Sequence, residues 1–187
     1  DGIDGMLPAG AVHQGLAVRA SPLEPQELSE ICTPPDGRPV LILDGVTDPQ
    51  NVGAVFRSAA AFGARAVVMQ DRRAPPFTGA LAKAAAGAIE TVPHARVVNL
   101  SRALEGLKNW GYVTVALDAD GPEPLSAALV DRRPAAIALG AEGKGLRDLV
   151  ASTCEKHARI PITPGMESLN VSVAAGIGLY EAVRARG

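Results

Sequence analysis

Short apolar runs recur along this chain from Val40 onward, each followed by a loop and a stretch of helical periodicity. That alternation restricts the fold more than any other feature. Val40-Leu-Ile-Leu43 is a continuous apolar run ending in Asp44, the pattern of a strand buried on both faces. Residues 66–69, about 91–97, 112–117, 135–139 and 158–162 read as further strands. Between them, helical patterns cover 51–62 (ended by Gly63), 80–88, a segment capped by Asn99 or Ser101 and running to Trp110 before Gly111, and 146–153. A last helix opens at Ser168 as N-cap, with Leu169, Val173, Ile177 and Tyr180 at helical spacing. Strands alternating with helices predict an α/β fold with a mostly parallel sheet flanked by helices. Ligands in such folds sit beyond the carboxyl ends of strands, which directs attention to the loops after Leu43, Leu139 and Ile162.

The first 37 residues read differently. Gly2, Gly5, Pro8, Gly10, Pro22, Pro25, Pro34, Pro35 and Gly37 punctuate them, and only residues 25–31 suit a short helix. Residues 1–37 are therefore expected to be a linker or arm, and 38–187 one domain, since a chain of 187 residues that is 47% hydrophobic can bury one substantial core. No apolar run reaches the length of a membrane span. Cys32 and Cys154 lie far apart and outside any CxxC, as expected of reduced thiols in a cytoplasmic protein. His13, His94 and His157 are scattered without metal-ligand spacing, so no metal is expected. The formal charge of −2 makes no global case for nucleic acid, and such a partner would need a local basic patch or a part of the protein outside this sequence.

Three loops carry the candidate chemistry. In the first, Asp48-Pro49 starts a turn, Asn51 stands near a helix N-terminus, and Gly53 allows close approach of a backbone or ligand. Arg57 projects from the following turns, where a guanidinium can fork onto a phosphate; a surface arginine on an amphipathic helix is the plain alternative. The second, Leu139-Gly140-Ala141-Glu142-Gly143-Lys144-Gly145, places three glycines within six residues after a strand and suits a ligand cradle with exposed amides. It has neither Walker spacing nor G-x-G-x-x-G. The third runs from Ile160-Pro161-Ile162 through Pro164 and Gly165 to Glu167, Ser168, Leu169 and Asn170, crowding polar groups at the mouth of a helix. Gly176 and Gly178 fall inside that helix and suit close packing. Arg72, Arg73 and Lys83 could add a basic rim.

Taken in order, the three loops resemble the signature motifs of the SpoU (TrmH-like) branch of the SPOUT RNA methyltransferases. The matching residues are Asp48-Pro-Gln-Asn-Val-Gly-Ala-Val-Phe-Arg57, Leu139-Gly-Ala-Glu-Gly-Lys-Gly145, and Ile160-Pro-Ile with Ser168-Leu-Asn-Val-Ser-Val-Ala174. In the arm, His13-Gln14-Gly15 is similar to the segment before the catalytic domain in ribosomal guanosine 2′-O-methyltransferases of this branch. The resemblance implies a C-terminal trefoil knot, which no pattern argument would choose. It further implies a homodimer with sites near the interface, and S-adenosylmethionine held by Leu139, Gly140, Ala141, Glu142, Gly143, Ile160, Pro161, Ile162, Ser168, Leu169 and Asn170. The implied substrate is a ribose 2′-hydroxyl in RNA, ribosomal first and transfer RNA as runner-up. Ribosomal members carry an N-terminal RNA-binding domain ahead of the arm. None precedes it in this sequence; if one has been removed, cofactor binding is expected to survive while RNA affinity falls.

By the same resemblance Arg57 is catalytic, with Asn51, Glu142, Ser168 and Asn170 orienting it and the ribose. A guanidinium stays protonated in proteins and is a poor base. The physical expectation is that Arg57 grips the adjacent phosphate and stabilises a developing alkoxide. Two other classes compete: a catalytically silent RNA-binding relative, against which the retained Arg57, Glu142, Ser168 and Asn170 speak, and a nucleotide-binding dehydrogenase, which lacks its fingerprint here.

Overall fold

The computed structural model describes residues 2–7, 10, 13, 15–17, 19, 21, 23–77 and 79–187; Pro8, Gln14 and Pro22 of the arm lie outside them. Seven strands form one sheet: β1 (Val40–Asp44), β2 (Ala66–Gln70), β3 (His94–Val97), β4 (Val113–Leu117), β5 (Glu123–Pro124), β6 (Ala135–Gly140) and β7 (Lys156–Arg159). Their order is β3-β2-β1-β6-β4-β7-β5, and every pairing is parallel. The mostly parallel expectation is thus met in its strictest form. Alternation along the strands builds two cores. Leu41, Leu43, Val67, Met69, Val115 and Ile137 face one layer, which holds α2 (Pro49–Ala61), α3 (Gly79–Ala85), α4 (Ala88–Thr91), α6 (Leu125–Ala128) and α8 (Val171–Arg184). Val40, Ile42, Val68, Ala116 and Ala138 face the other, with α1 (Leu28–Cys32), α5 (Leu100–Asn109) and α7 (Asp148–Thr153).

Local chemistry sets most boundaries. Asp48 caps α2, accepting from the Gln50 and Asn51 amides, with Pro49 in the first turn; Gly63, at φ 63°, follows its end. Asn99, not Ser101, caps α5 by accepting from Arg102 N at 3.1 Å. Four expectations need correction. The small-residue helix stops at Ala85, because Ala86 and Gly87 take positive φ, and α4 occupies the start of the segment read as strand. The last strand is Lys156–Arg159, since pairing with Val115–Leu117 decides its register. Alternation did not reveal the short β5 and α6. The final helix starts at Asn170, whose side chain accepts from the Ser172 and Val173 amides; Ser168 lies in the loop before it. The end of the arm joins the domain: Leu28 and Cys32 are buried in the second core, Tyr112 Oη donates to the Cys32 carbonyl at 3.2 Å, and Arg65 pairs with Asp36.

Candidate active site

Strand register brings three loop origins together. Asp44 stands beside Gly140 across β1 and β6, and Leu117 beside Leu139 across β4 and β6. The chain leaves β1 toward β2 and β3, while β6 and β4 lie on its other flank, the position where open α/β sheets take ligands. The loop after β6 closes tightly on itself. Gly140 has no room for a side chain, because a Cβ there would fall 1.9 Å from the Gly145 carbonyl carbon. Gly143 and Gly145 supply the positive φ values of 74° and 64°. The Ala141 carbonyl accepts from Gly145 N at 2.9 Å and Lys144 N at 3.3 Å, so only part of the expected amide cradle faces outward. From outside, Arg147 ties this loop to β1, with N donating to Asp44 Oδ2 at 3.0 Å and Nε to Oδ1 at 2.7 Å; Asp44 is 2% exposed.

Three predicted residues, from three separate loops, meet at one point. Asn170 Nδ2 donates to Glu142 Oε1 at 2.5 Å and to Asn51 Oδ1 at 2.9 Å. Asn51 Nδ2 donates to the same Glu142 oxygen at 3.3 Å, and Val171 N approaches it at 3.4 Å. Glu142 Oε1 is therefore saturated, while Oε2 has no partner among the described residues and is left to accept from a ligand. Each asparagine is set by its helix: Asn51 lies in the first turn of α2, and Asn170 caps α8 with its Oδ1 while its Nδ2 faces the cluster.

A cavity of about 430 Å³ opens beside this cluster, lined by residues of the loops after β4 and β6 and of the approach to α8. Leu139, Gly140, Ala141, Glu142, Gly143, Ser168 and Leu169 line it. Ile160, Pro161, Ile162 and Asn170 do not: Ile160 packs against the core, and Asn170 turns its side chain to Asn51 and Glu142. Asp118 and Asp120 also line it and were not predicted, although the strand-end rule applies to Leu117 as much as to Leu43. Four carboxylates, Asp118, Asp120, Glu142 and Glu167, face this space against Lys144 as its one cation. Arg57 stands apart. It is exposed on α2 and makes no side-chain hydrogen bond or ion pair among the described residues. Six residues of helix set it roughly 9 Å along and about 120° around from Asn51. Gly53 serves helix packing, since a Cβ there would fall 2.6 Å from Ala84 Cβ and the Leu81 oxygen.

A three-layer parallel α/β domain, with an acidic cavity at its strand ends and an amide–carboxylate–amide cluster on the rim, has the form of a ligand-binding enzyme domain. The chain belongs to the SpoU rRNA methylase family, whose sequence pattern matches residues 38–180. A Burkholderia protein named 23S rRNA (guanosine-2′-O-)-methyltransferase RlmB is 45% identical over 176 residues, 93% of this chain and 71% of its own length. Among solved structures, the SpoU methyltransferase AviRb from Streptomyces viridochromogenes in complex with AdoMet superposes with a TM-score of 0.79 at 25% identity, covering 88% of this chain and 66% of that one. An AdoMet-bound rRNA methyltransferase from Sinorhizobium meliloti gives 0.77 at 29% identity, covering 86% and 61%. The chain thus spans less than two-thirds of these two solved proteins. The likeness carries the fold assignment, a SPOUT domain with its C-terminal knot.

Proposed function

We propose that this chain methylates a ribose 2′-hydroxyl of ribosomal RNA, at guanosine, using S-adenosylmethionine. The observation that carries this reading is the convergence of Asn51, Glu142 and Asn170 on the rim of the acidic cavity. The names of the relatives and the AdoMet complexes of the solved neighbours support it. The residues fit the cofactor: a cavity of about 430 Å³ is ample, four carboxylates suit a ligand bearing a sulfonium and an ammonium, and Gly140 lets the loop fold closely enough to wall it. When bound, S-adenosylmethionine supplies an activated methyl group. Leu139–Gly143, Ser168 and Leu169 would hold it, with Asp118 and Asp120 across the cavity. Glu142 Oε2 accepts a hydrogen bond from the ribose 2′-hydroxyl and receives its proton on transfer, and the two asparagines fix that carboxylate. Such alignment can be worth roughly 7–11 kcal/mol in favourable systems. Arg57 holds the adjacent phosphate and stabilises the developing alkoxide.

The division into an arm, 1–37, and a methyltransferase domain, 38–187, belongs to the same proposal, as does a homodimer. Support for the dimer comes from the apolar groove between α2 and α8, where Val173 and Tyr180 are 49% and 52% exposed. The separation of Arg57 from the amide–carboxylate cluster fits a site completed by a second copy. No helix among the described residues is long and apolar enough to cross a membrane, and the two unpaired, buried cysteines support a cytoplasmic setting. The test is transfer of labelled methyl to protein-free 23S rRNA, beside calorimetric titration with S-adenosylmethionine. Saturable binding and ribose-specific label are expected, and absence of both would sink the proposal. Arg57→Lys should lose at least tenfold in turnover while retaining cofactor binding. Near-wild-type turnover would remove any role needing the planar guanidinium.

A further inference from the structure

The loop Ala141–Gly145 has two sides, and they differ in charge. The cavity described above is acidic. On the other side, a cavity of about 480 Å³ is lined by Asp44, Gly45, Thr47, Arg73, Ala141, Glu142, Lys144, Gly145 and Arg147. Of its two carboxylates, Asp44 is satisfied by the Arg147 guanidinium and amide, while Glu142 has Oε1 held by Asn51, Asn170 and the Val171 amide and keeps Oε2 open toward the amide–carboxylate cluster. Arg73 and Lys144 have no carboxylate partner among the described residues, and both are exposed. Arg73 reaches the loop after β1: a Cβ on Gly45 would lie 3.7 Å from Arg73 Nη1 and 4.0 Å from Ala141 Cβ, ordinary contacts, and Gly45 itself serves the turn at φ 72°. A smaller cavity, lined by Asp48, Asn51 and Val171 and by no cation, shares Gly45, Thr47, Ala141 and Glu142 with this one and links it to the amide–carboxylate cluster.

In a chain of formal charge −2, unpaired cations gathered at the site are the local basic patch that a polyanion requires. We infer that this second cavity is a subsite for the RNA strand, in which Arg73 and Lys144, with Arg147 as a braced third cation, hold a phosphodiester flanking the methylated ribose. The Gly-rich loop then acts as a partition, with a cationic cofactor on its acidic side and the polyanionic substrate on its basic side. Glu142 lines both. This assignment rests on the RNA methyl transfer proposed above and adds binding residues distinct from Arg57. Arg73 touches only the basic cavity, so its removal separates RNA binding from cofactor binding.

The experiment measures methyl transfer to protein-free 23S rRNA, RNA affinity across salt concentrations, and S-adenosylmethionine binding by calorimetry. The proteins are the wild-type chain, Arg73→Ala, Arg73→Ala/Lys144→Ala, and Arg102→Ala as an exposed cation on α5. Arg73→Ala should raise KM for RNA roughly tenfold, the weight of one charge-assisted bond to phosphate, with kcat and cofactor affinity within about twofold. The salt slope of RNA binding should fall by about one for Arg73→Ala and further for the double variant. Unchanged RNA KM and salt slope in the double variant, while the wild type methylates, would overturn the subsite. So would an equal loss in Arg102→Ala. A wild-type chain that binds cofactor and transfers no methyl, or binds neither, would fail at the level of the function itself.

Discussion

Asn170 holds a helix end and the amide–carboxylate cluster with one side chain. Its Oδ1 accepts from Ser172 N at 2.9 Å and caps α8, while its Nδ2 fixes Glu142 and Asn51. Asn170→Ala should cost about 1 kcal/mol of stability through the lost cap and abolish most methyl transfer. Asn170→Asp keeps an acceptor for the cap but sets a carboxylate against Glu142, so activity should fall with stability less affected. Melting curves beside transfer assays separate the two roles; full activity in Asn170→Asp would remove Asn170 from the chemistry. Buried titrating groups limit the stable pH range. Burial pushes the Cys32 and Cys154 thiols from 9.0 up to about 11 and about 12, and the Tyr112 phenol from 10.0 up to about 12. These groups stay neutral in the fold, so their stabilisation is complete below pH 9 and is lost as pH rises toward 12. His94 is shifted the other way, lowered by burial and then by Arg96, with Nε2 buried and without a hydrogen-bond partner among the described residues. Its contribution is present above about pH 6.5 and is lost as the pH falls through its depressed value. Urea unfolding across pH should show both limbs, and Cys154→Ala should flatten the alkaline one.

At the scale of elements, glycines inside helices are not equivalent. Gly53 sits where α2 meets α3, and an added Cβ would lie 2.6 Å from both Ala84 Cβ and the Leu81 carbonyl oxygen. Gly53→Ala should therefore destabilise by roughly 1–3 kcal/mol, as overpacking does. Gly178, inside α8, would place its Cβ 3.5 Å from Ile137 and Leu117 methyls, an ordinary contact. Gly178→Ala should be neutral or gain up to about 1 kcal/mol from helix propensity. Chemical denaturation distinguishes them, and equal effects would refute the packing argument. Both glycines are legible in the sequence, but their difference is not, because it depends on which backbone lies opposite.

For the whole molecule, the groove of Ser58, Phe62, Ser172, Val173, Gly176, Ile177 and Tyr180 leaves apolar area open between α2 and α8. Phe62 and Tyr180 pack edge to face there, with ring centroids 6.2 Å apart. If a second copy covers this face, Tyr180→Asp should shift the protein toward monomer and lower methyl transfer with it. Sedimentation velocity reads the first and the labelled-methyl assay the second. A wild-type chain that is monomeric at high micromolar concentration would exclude the groove as a stable dimer interface.

The α/β class, most strands and helices, and Asn51, Glu142 and Asn170 were all legible in the chain. Strand periodicity, capping chemistry and loop motifs are local, and they act over a few residues at a time. The tertiary structure decided what depends on neighbours distant in sequence. Parallel pairing set Lys156–Arg159 as the last strand, and β4 brought Asp118 and Asp120 to the acidic side of the loop. The same packing placed Arg73, far from Lys144 in sequence, beside it on the other side. No local pattern records such meetings, because register and layer packing, acting across the sheet, create them.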